Sequence, residues 1–267
     1  MGYTTHLLRP ILLLLLAGWF TGCATSPTGR SQLMLVSEQQ AITASKTAYT
    51  QTLQPFADKG KLDNDPAVTK RIKKITDRLI VEAIKMRPET KDWEWSVKVV
   101  DDPKTVNAWA MAGGKMAIYT GLITQLNATD DEIAQVMGHE ISHALANHTA
   151  ERMSVAMASS LGIMAIGIAT DSDAASLAGA ALAAKLAIEL PNSRGSEAEA
   201  DRIGVELAAK AGYHPKAAVT LWQKMEQVGG SGPPQFLSTH PAPENRQKTL
   251  EALVPEMLPY YKAAQQK

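Results

Sequence analysis

The sequence predicts an α+β fold, a mostly helical domain carrying a small β-sheet. Three observations predict it. Apolar residues recur at helical spacing, as in Val68, Ile72, Ile75, Leu79 and Ile84. One stretch alternates, Trp93, Trp95, Val97 and Val99, and reads as a strand. Two short strands flank Gly113-Gly114, the second running from Lys115 to Tyr119. After them the chain reads as nearly all helical.

The elements follow in order. Residues 1–22 combine a short n-region holding His6 and Arg9 with an apolar stretch from Ile11 to Ala17, and read as a secretory signal peptide. Phe20-Thr21-Gly22-Cys23 places small residues before the only cysteine, in the manner of a bacterial lipobox. Cys23 is therefore the candidate lipidation site. Ala24 after it, rather than Asp, suggests the outer membrane and its periplasmic face. Residues 23–36 read as a polar tether, and 37–267 as one domain. A helix is expected from Ser37, with Gln40 closing a capping box. A second should run from Pro66 to about Met86.

Composition excludes some classes. Lys plus Arg and Asp plus Glu each total 27, so no global basic field attracts nucleic acid. A single cysteine leaves no disulfide within the domain.

The chemistry centres on His139-Glu140-Ile141-Ser142-His143. Thr129 to Glu132 reads as a capping box, and Ile133, Val136, Met137, Ile141 and Leu145 continue a helix through the motif. On a helix, residues i and i+4 share a face, so both imidazoles can hold one Zn²⁺. Glu140 lies next to the first ligand, placed to act as a base on water. A catalytic zinc needs a third protein ligand. Glu197 is the candidate, at the start of a helix from Ser193 to about Ala211 that Gly212 stops. Asp201, on the same face, is a candidate to orient a zinc-bound His. Glu199 competes as a ligand but should face away. A solvated acidic face paired with Arg194 or Arg202 is the alternative. His148, nine residues after His139, should face away from the site on a continuous helix.

Together these segments resemble the minigluzincin zinc metallopeptidases, a family that includes the CAAX prenyl-protein endopeptidases and the mitochondrial inner-membrane quality-control peptidase. The resemblance rests on His139-Glu140-x-x-His143 with Ser193-Arg194-x-x-Glu197-x-Glu199-Ala200-Asp201. Asn107-Ala108-Trp109-Ala110 with Gly113-Gly114-Lys115, and Ser238-Thr239-His240-Pro241 with Arg246, extend it. Trp109 for a usual Phe and Met111-Ala112 for a common Leu-Pro are departures. Thr28-Gly29-Arg30 through Glu38 resembles the bacterial lipoprotein branch.

The resemblance implies a zincin-type domain with one Zn²⁺ per chain on His139, His143 and Glu197, and Glu140 as base. It also implies His240 and Arg246 near the catalytic centre. His240 has two candidate roles, donating to the oxyanion or occupying the open zinc position at rest. Gly114, Lys115, Met116 and Ala117 are the candidate substrate strand, with Lys115 to Ile118 as an edge that pairs with an extended peptide, a plain structural hairpin being the alternative. Ser154 to Ala184, rich in Ala and Gly, reads as a buried helical hairpin or, alternatively, as a membrane contact. The expected activity is hydrolysis of peptide bonds in misfolded or misassembled envelope proteins. A non-enzymatic chaperone or assembly factor of the same fold is the competing reading. Oligomeric state is not legible.

Overall fold

The computed structural model describes residues 23–164, 191–228, 234–241 and 245–266. The expected leader, residues 1–22, lies outside the described residues, as does 165–184 of the apolar run.

A two-stranded hairpin opens the described chain, β1 (Cys23–Thr25) pairing antiparallel with β2 (Ser31–Leu33). Helix α1 (Glu38–Ala57) starts on the expected Ser37–Gln40 capping box, and α2 (Pro66–Met86) on Asp65 with Pro66 in the first turn. A 3₁₀ turn (Pro88–Asp92) leads to β3 (Ser96–Val100), then β4 (Ala108–Met111), β5 (Lys115–Tyr119) and the short α3 (Thr120–Gln125). Helix α4 (Asp130–Leu145) has the Thr129–Glu132 capping box, and α5 (His148–Met164) follows. After the undescribed segment come α6 (Arg194–Lys210), α7 (Ala217–Gln227), the short α8 (Gln235–Thr239) and α9 (Arg246–Ala264).

The sheet order is β3-β5-β4, with β3 parallel and β4 antiparallel to β5. Side chains alternate across it. Ala108, Ala110, Met116 and Ile118 enter the main core, shared with α2, α4, α6 and α7. Trp109, Met111, Ala117 and Tyr119 enter a second cluster under α1. Gly113 and Gly114 both turn at positive φ between β4 and β5, and a Cβ on Gly114 would lie 2.3 Å from the Trp95 ring.

This topology corrects the expected substrate edge. Lys115, Met116 and Ala117 lie on the central strand, with hydrogen-bonding neighbours on both sides, and Gly114 lies in the turn before it. The parallel return of β3 occupies the side expected to be free. The terminal strand toward α4 is β4. The alternation from Trp93 is also only partly strand. Residues 93–95 still leave the 3₁₀ turn, where Trp95 Nε1 donates to the Thr90 carbonyl.

Two further expectations change. Residues 24–36 are docked rather than a loose tether: Arg30 forms a double ion pair with Glu151, and Gln32 Nε2 donates to the Ala146 carbonyl. The active-site helix does not run on through His148. Asn147 adopts φ 57°, a left-handed conformation Asn tolerates, so α5 begins in a new direction. No helix among the described residues is long and apolar enough to cross a membrane.

Candidate metal centre

The site is built where α6 crosses α4. Two glycines set the crossing. A Cβ on Gly138 would lie 2.9 Å from the Gly204 carbonyl oxygen, and one on Gly204 would lie 2.8 Å from the His139 backbone nitrogen. The helices therefore meet backbone to backbone. That close approach carries Glu197, from the first turn of α6, to the imidazole face of α4.

The expected ligands converge. His139 Nε2 and His143 Nε2 are 3.0 Å apart. Glu197 spans both, Oε2 lying 3.3 Å from His139 Nε2 and Oε1 3.3 Å from His143 Nε2. One ligand atom each from His139, His143, Glu197 and His240 fits within 4.8 Å of all the others. Zinc bonds to nitrogen and oxygen of about 2.0–2.1 Å place tetrahedral ligands about 3.3 Å apart, so the spacing suits that ion. The donor set does too. Glu197 is fully buried, yet neither carboxylate oxygen accepts a hydrogen bond. Its polar neighbours are the two imidazole nitrogens at 3.3 Å and Arg246 Nη2 at 3.4 Å, all longer than a good hydrogen bond, so a cation between the carboxylate and the imidazoles would compensate the buried charge better.

Electrostatics agree. Burial opposes a charge on His139, but Glu197 and Asp201 outweigh it and raise the imidazole to about 9. Burial also opposes ionisation of Glu197, and the histidines reverse this, holding the carboxyl well below its usual range. Burial lowers His143, and lowers His240 to about 3, leaving a neutral imidazole with a free lone pair at neutral pH. Burial pushes Glu140 up to about 8, with His139 opposing and Glu197 adding to the rise. A nearby cation would bring it back down.

Each histidine ligand is backed by a second group. Asp201 Oδ1 lies 3.0 Å from His139 Nδ1, as the helix spacing implied. Arg246 Nη2 stands 2.5 Å from Asp201 Oδ1 and 3.4 Å from Glu197 Oε2, with its guanidinium 3.4 Å from the Trp222 ring centroid. Arg246 is thus close to the centre but behind the ligands. It positions carboxylates rather than facing a substrate. On the other side, His148 Nδ1 lies 2.7 Å from His143 Nδ1, and its Nε2 lies 3.0 Å from Glu199 Oε2. The expectation that His148 faces away was wrong because α4 ends at Leu145 and the left-handed Asn147 turns the chain before His148. Glu199 does point away from the ligand cluster, into a buried pocket of its own rather than to solvent.

His240 caps the cluster. Its Nε2 is 3.3 Å from Glu140 Oε1, and its ring stacks on Phe236 with centroids 4.2 Å apart. The four residues of β4 are buried on the side of the site that Glu140 occupies. A cavity of about 10 Å³ beside His139, Trp222 and Phe236 has room for about one water. Gly114 to Ala117 and Cys23 are not part of the cluster.

Sequence reasoning missed Gly138, Gly204, Trp222, Arg30 and the role of His148. The glycines left a signal, since glycine inside a helix costs about 1 kcal/mol and usually has a packing reason. Trp222, 79 positions beyond His143, left none.

A family model for peptidase family M48 matches residues 66–254, which takes in both helices of the site and His240. The chain belongs to peptidase family M48. The His139–His143–Glu197 cluster is the metal site typical of zinc M48 peptidases. Among M48 relatives, the mitochondrial metalloendopeptidase OMA1 of Bos taurus is 34% identical over 260 residues, covering 92% of this chain and 49% of that protein. The OMA1 of Homo sapiens is likewise 34% identical over 260 residues, covering 92% of this chain and 48% of that protein. The β-barrel assembly-enhancing protease of Yersinia pestis is 28% identical over 212 residues, covering 76% of this chain and 42% of that protein. The chain spans about half the length of the curated relatives it matches.

Proposed function

We propose that the protein is a zinc-dependent metalloendopeptidase that cleaves misfolded or misassembled proteins of the bacterial envelope. The observation that carries the reading is the convergence of Glu197, a buried carboxylate with no close hydrogen bond, on two imidazole nitrogens 3.3 Å away, within a cluster of four side chains that could hold one metal ion. Membership of the M48 family supports the peptidase class, and the assembly-enhancing protease relatives support the envelope setting.

His139, His143 and Glu197 would hold one zinc ion. A bound zinc polarises a carbonyl and makes water more acidic. Glu140 takes the proton from the attacking water and returns it to the leaving amine, so no side-chain nucleophile is needed. Asp201 Oδ1, 3.0 Å from His139 Nδ1, would keep the His139 proton on that nitrogen and leave Nε2 free to ligate. An extended substrate would pair with β4, the terminal strand beside α4.

His240 stands close enough to His139, His143 and Glu197 that it could offer a fourth ligand atom, and β4 is buried. Both features support a closed resting form rather than an oxyanion role for His240. Four protein ligands also mark a structural site, which is what a non-enzymatic assembly factor would have. Glu140 argues against that reading, because it adds nothing to holding the metal yet is buried against it. Zinc content together with casein cleavage, compared between wild type and Glu140→Gln, tests the proposal.

We infer further that the chain is exported and acylated on Cys23, which would anchor it at the periplasmic face of the outer membrane. A single acyl chain binds membranes only marginally, whereas several on one cysteine anchor stably. Cys23→Ser should abolish palmitate labelling. Labelling that survives would refute the anchor and leave the metal chemistry untouched.

A further inference from the structure

We propose that the N-terminal hairpin is part of the metal centre, with Arg30 acting through Glu199 and His148 to fix the orientation and tautomer of His143. The inference rests on His143 being a metal ligand, as proposed above.

The contacts form one continuous chain, half-buried at Arg30 and fully buried from Glu199 through His148 to His143. Arg30 lies between β1 and β2. Its Nε donates to Glu199 Oε2 at 3.0 Å, while its two terminal nitrogens each donate to Glu151 at 2.6 Å. Thr28 Oγ1 donates to the other Glu199 oxygen at 2.6 Å. Glu199 in turn meets His148, and His148 meets His143.

Proton counting gives the chain a direction. His143 Nε2 faces the metal position, so a ligating His143 carries its proton on Nδ1. Across the 2.7 Å contact His148 Nδ1 must then accept, which places the His148 proton on Nε2. That proton is donated to Glu199, whose carboxylate has no proton to offer. Only this arrangement leaves every contact with one donor and one acceptor. Reversing His148 would set two N–H groups against each other. Glu199 selects the tautomer, and Arg30 with Thr28 holds Glu199 in place.

The arrangement mirrors the other ligand. His139 is oriented by Asp201, which Arg246 holds. Helix α6 therefore supplies a ligand and both anchoring carboxylates in five residues, Glu197, Glu199 and Asp201. The arginine on one side comes from α9, and on the other from the hairpin at the start of the described chain. Only six residues, 24–29, separate the candidate acylation site Cys23 from Arg30 of this clamp.

His148 and Arg30 are positioning residues, so the test reads metal and tautomer rather than turnover. Zinc affinity is measured by chelator competition, and imidazole tautomers by long-range ¹⁵N correlation, on the zinc-loaded full chain. His148→Ala should weaken zinc binding roughly 10–100-fold, the usual effect of removing a group that orients a ligating histidine. Arg30→Ala should weaken it in the same direction by a smaller factor, although Arg30 touches no ligand. His148→Asn keeps an acceptor for His143 and should recover part of the loss. If the alanine variant at 148 fails to fold, His148→Asn and Arg30→Ala decide the matter. Wild-type zinc affinity in these variants, or a His148 proton on Nδ1, would overturn the role alone. A wild-type chain that binds no zinc would overturn the metal centre and this role with it.

Discussion

His240 Nε2 lies 3.3 Å from Glu140 Oε1, so the residue that closes the metal site also covers the base. One side-chain movement would uncover both. His240 caps the C-terminus of the five-residue helix α8, and its ring is held by stacking on Phe236. His240→Ala should therefore raise kcat/KM on an unfolded substrate at saturating zinc. A rise of up to roughly tenfold corresponds to a site closed in about nine molecules of ten. Zinc should bind more weakly, because a fourth donor is gone. A fall in kcat with unchanged zinc affinity would instead assign His240 to the oxyanion.

Glu197 and Glu199 lie two residues apart on α6 but point to different partners. Glu197→Ala should remove most of the bound zinc, since it deletes a ligand between both imidazoles. Glu199→Ala should lower occupancy much less, because it acts through His148. Metal analysis after dialysis against a weak chelator separates them. Equal losses would mean that the ligand has been misassigned.

The Gly138–Gly204 crossing makes a prediction of unusual sign. Gly→Ala inside a helix ordinarily stabilises by about 0.5–1 kcal/mol. At Gly204 the added Cβ meets the His139 backbone, which cannot rotate away. Gly204→Ala should destabilise by roughly 1–3 kcal/mol, the usual cost of overpacking, and should weaken zinc binding by displacing α6. A melting temperature at or above wild type would refute the contact.

Glu132 should make stability depend on pH. It accepts from the Thr129 backbone, Thr220 Oγ1 and Lys224 Nζ at 2.9, 2.8 and 2.7 Å. Burial opposes its ionisation, but Lys224 and the hydrogen bonds win, and the carboxyl titrates below its ordinary range. A depressed carboxylate contributes stability that is fully present above the unfolded pKa of about 4.3 and is lost as pH falls through the folded value. Glu132→Gln should cost about 1–3 kcal/mol at pH 7, and the gap should narrow in acid. Denaturant melts of both proteins at pH 7 and pH 3 measure it. A gap independent of pH would show that the charge is not what matters.

Local signals in the sequence located the helix starts and the metal ligands. Ser37–Gln40 and Thr129–Glu132 are capping boxes written in four residues, and His139 with His143 on α4, and Glu197 with Asp201 on α6, each share a face through i, i+4 spacing. What failed was non-local. The alternation in Lys115 to Tyr119 fits a central strand as well as an edge, and only the parallel pairing with β3 distinguishes them. The left-handed Asn147 redirects His148 without any break in the apolar pattern. Arg30 finds Glu199 across 169 positions, a contact that no window along the chain contains.

The central claim is that a metal held by His139, His143 and Glu197 works with Glu140 as base. Its most direct measurement is zinc stoichiometry together with casein cleavage for wild type and Glu140→Gln, which keeps the side-chain volume and removes only the proton acceptor. Both proteins should carry one zinc per chain, and the variant should lose at least roughly 10²–10⁴-fold in rate, the usual contribution of a positioned base. A Glu140→Gln protein that keeps its zinc and cleaves casein at a rate near wild type would contradict the account.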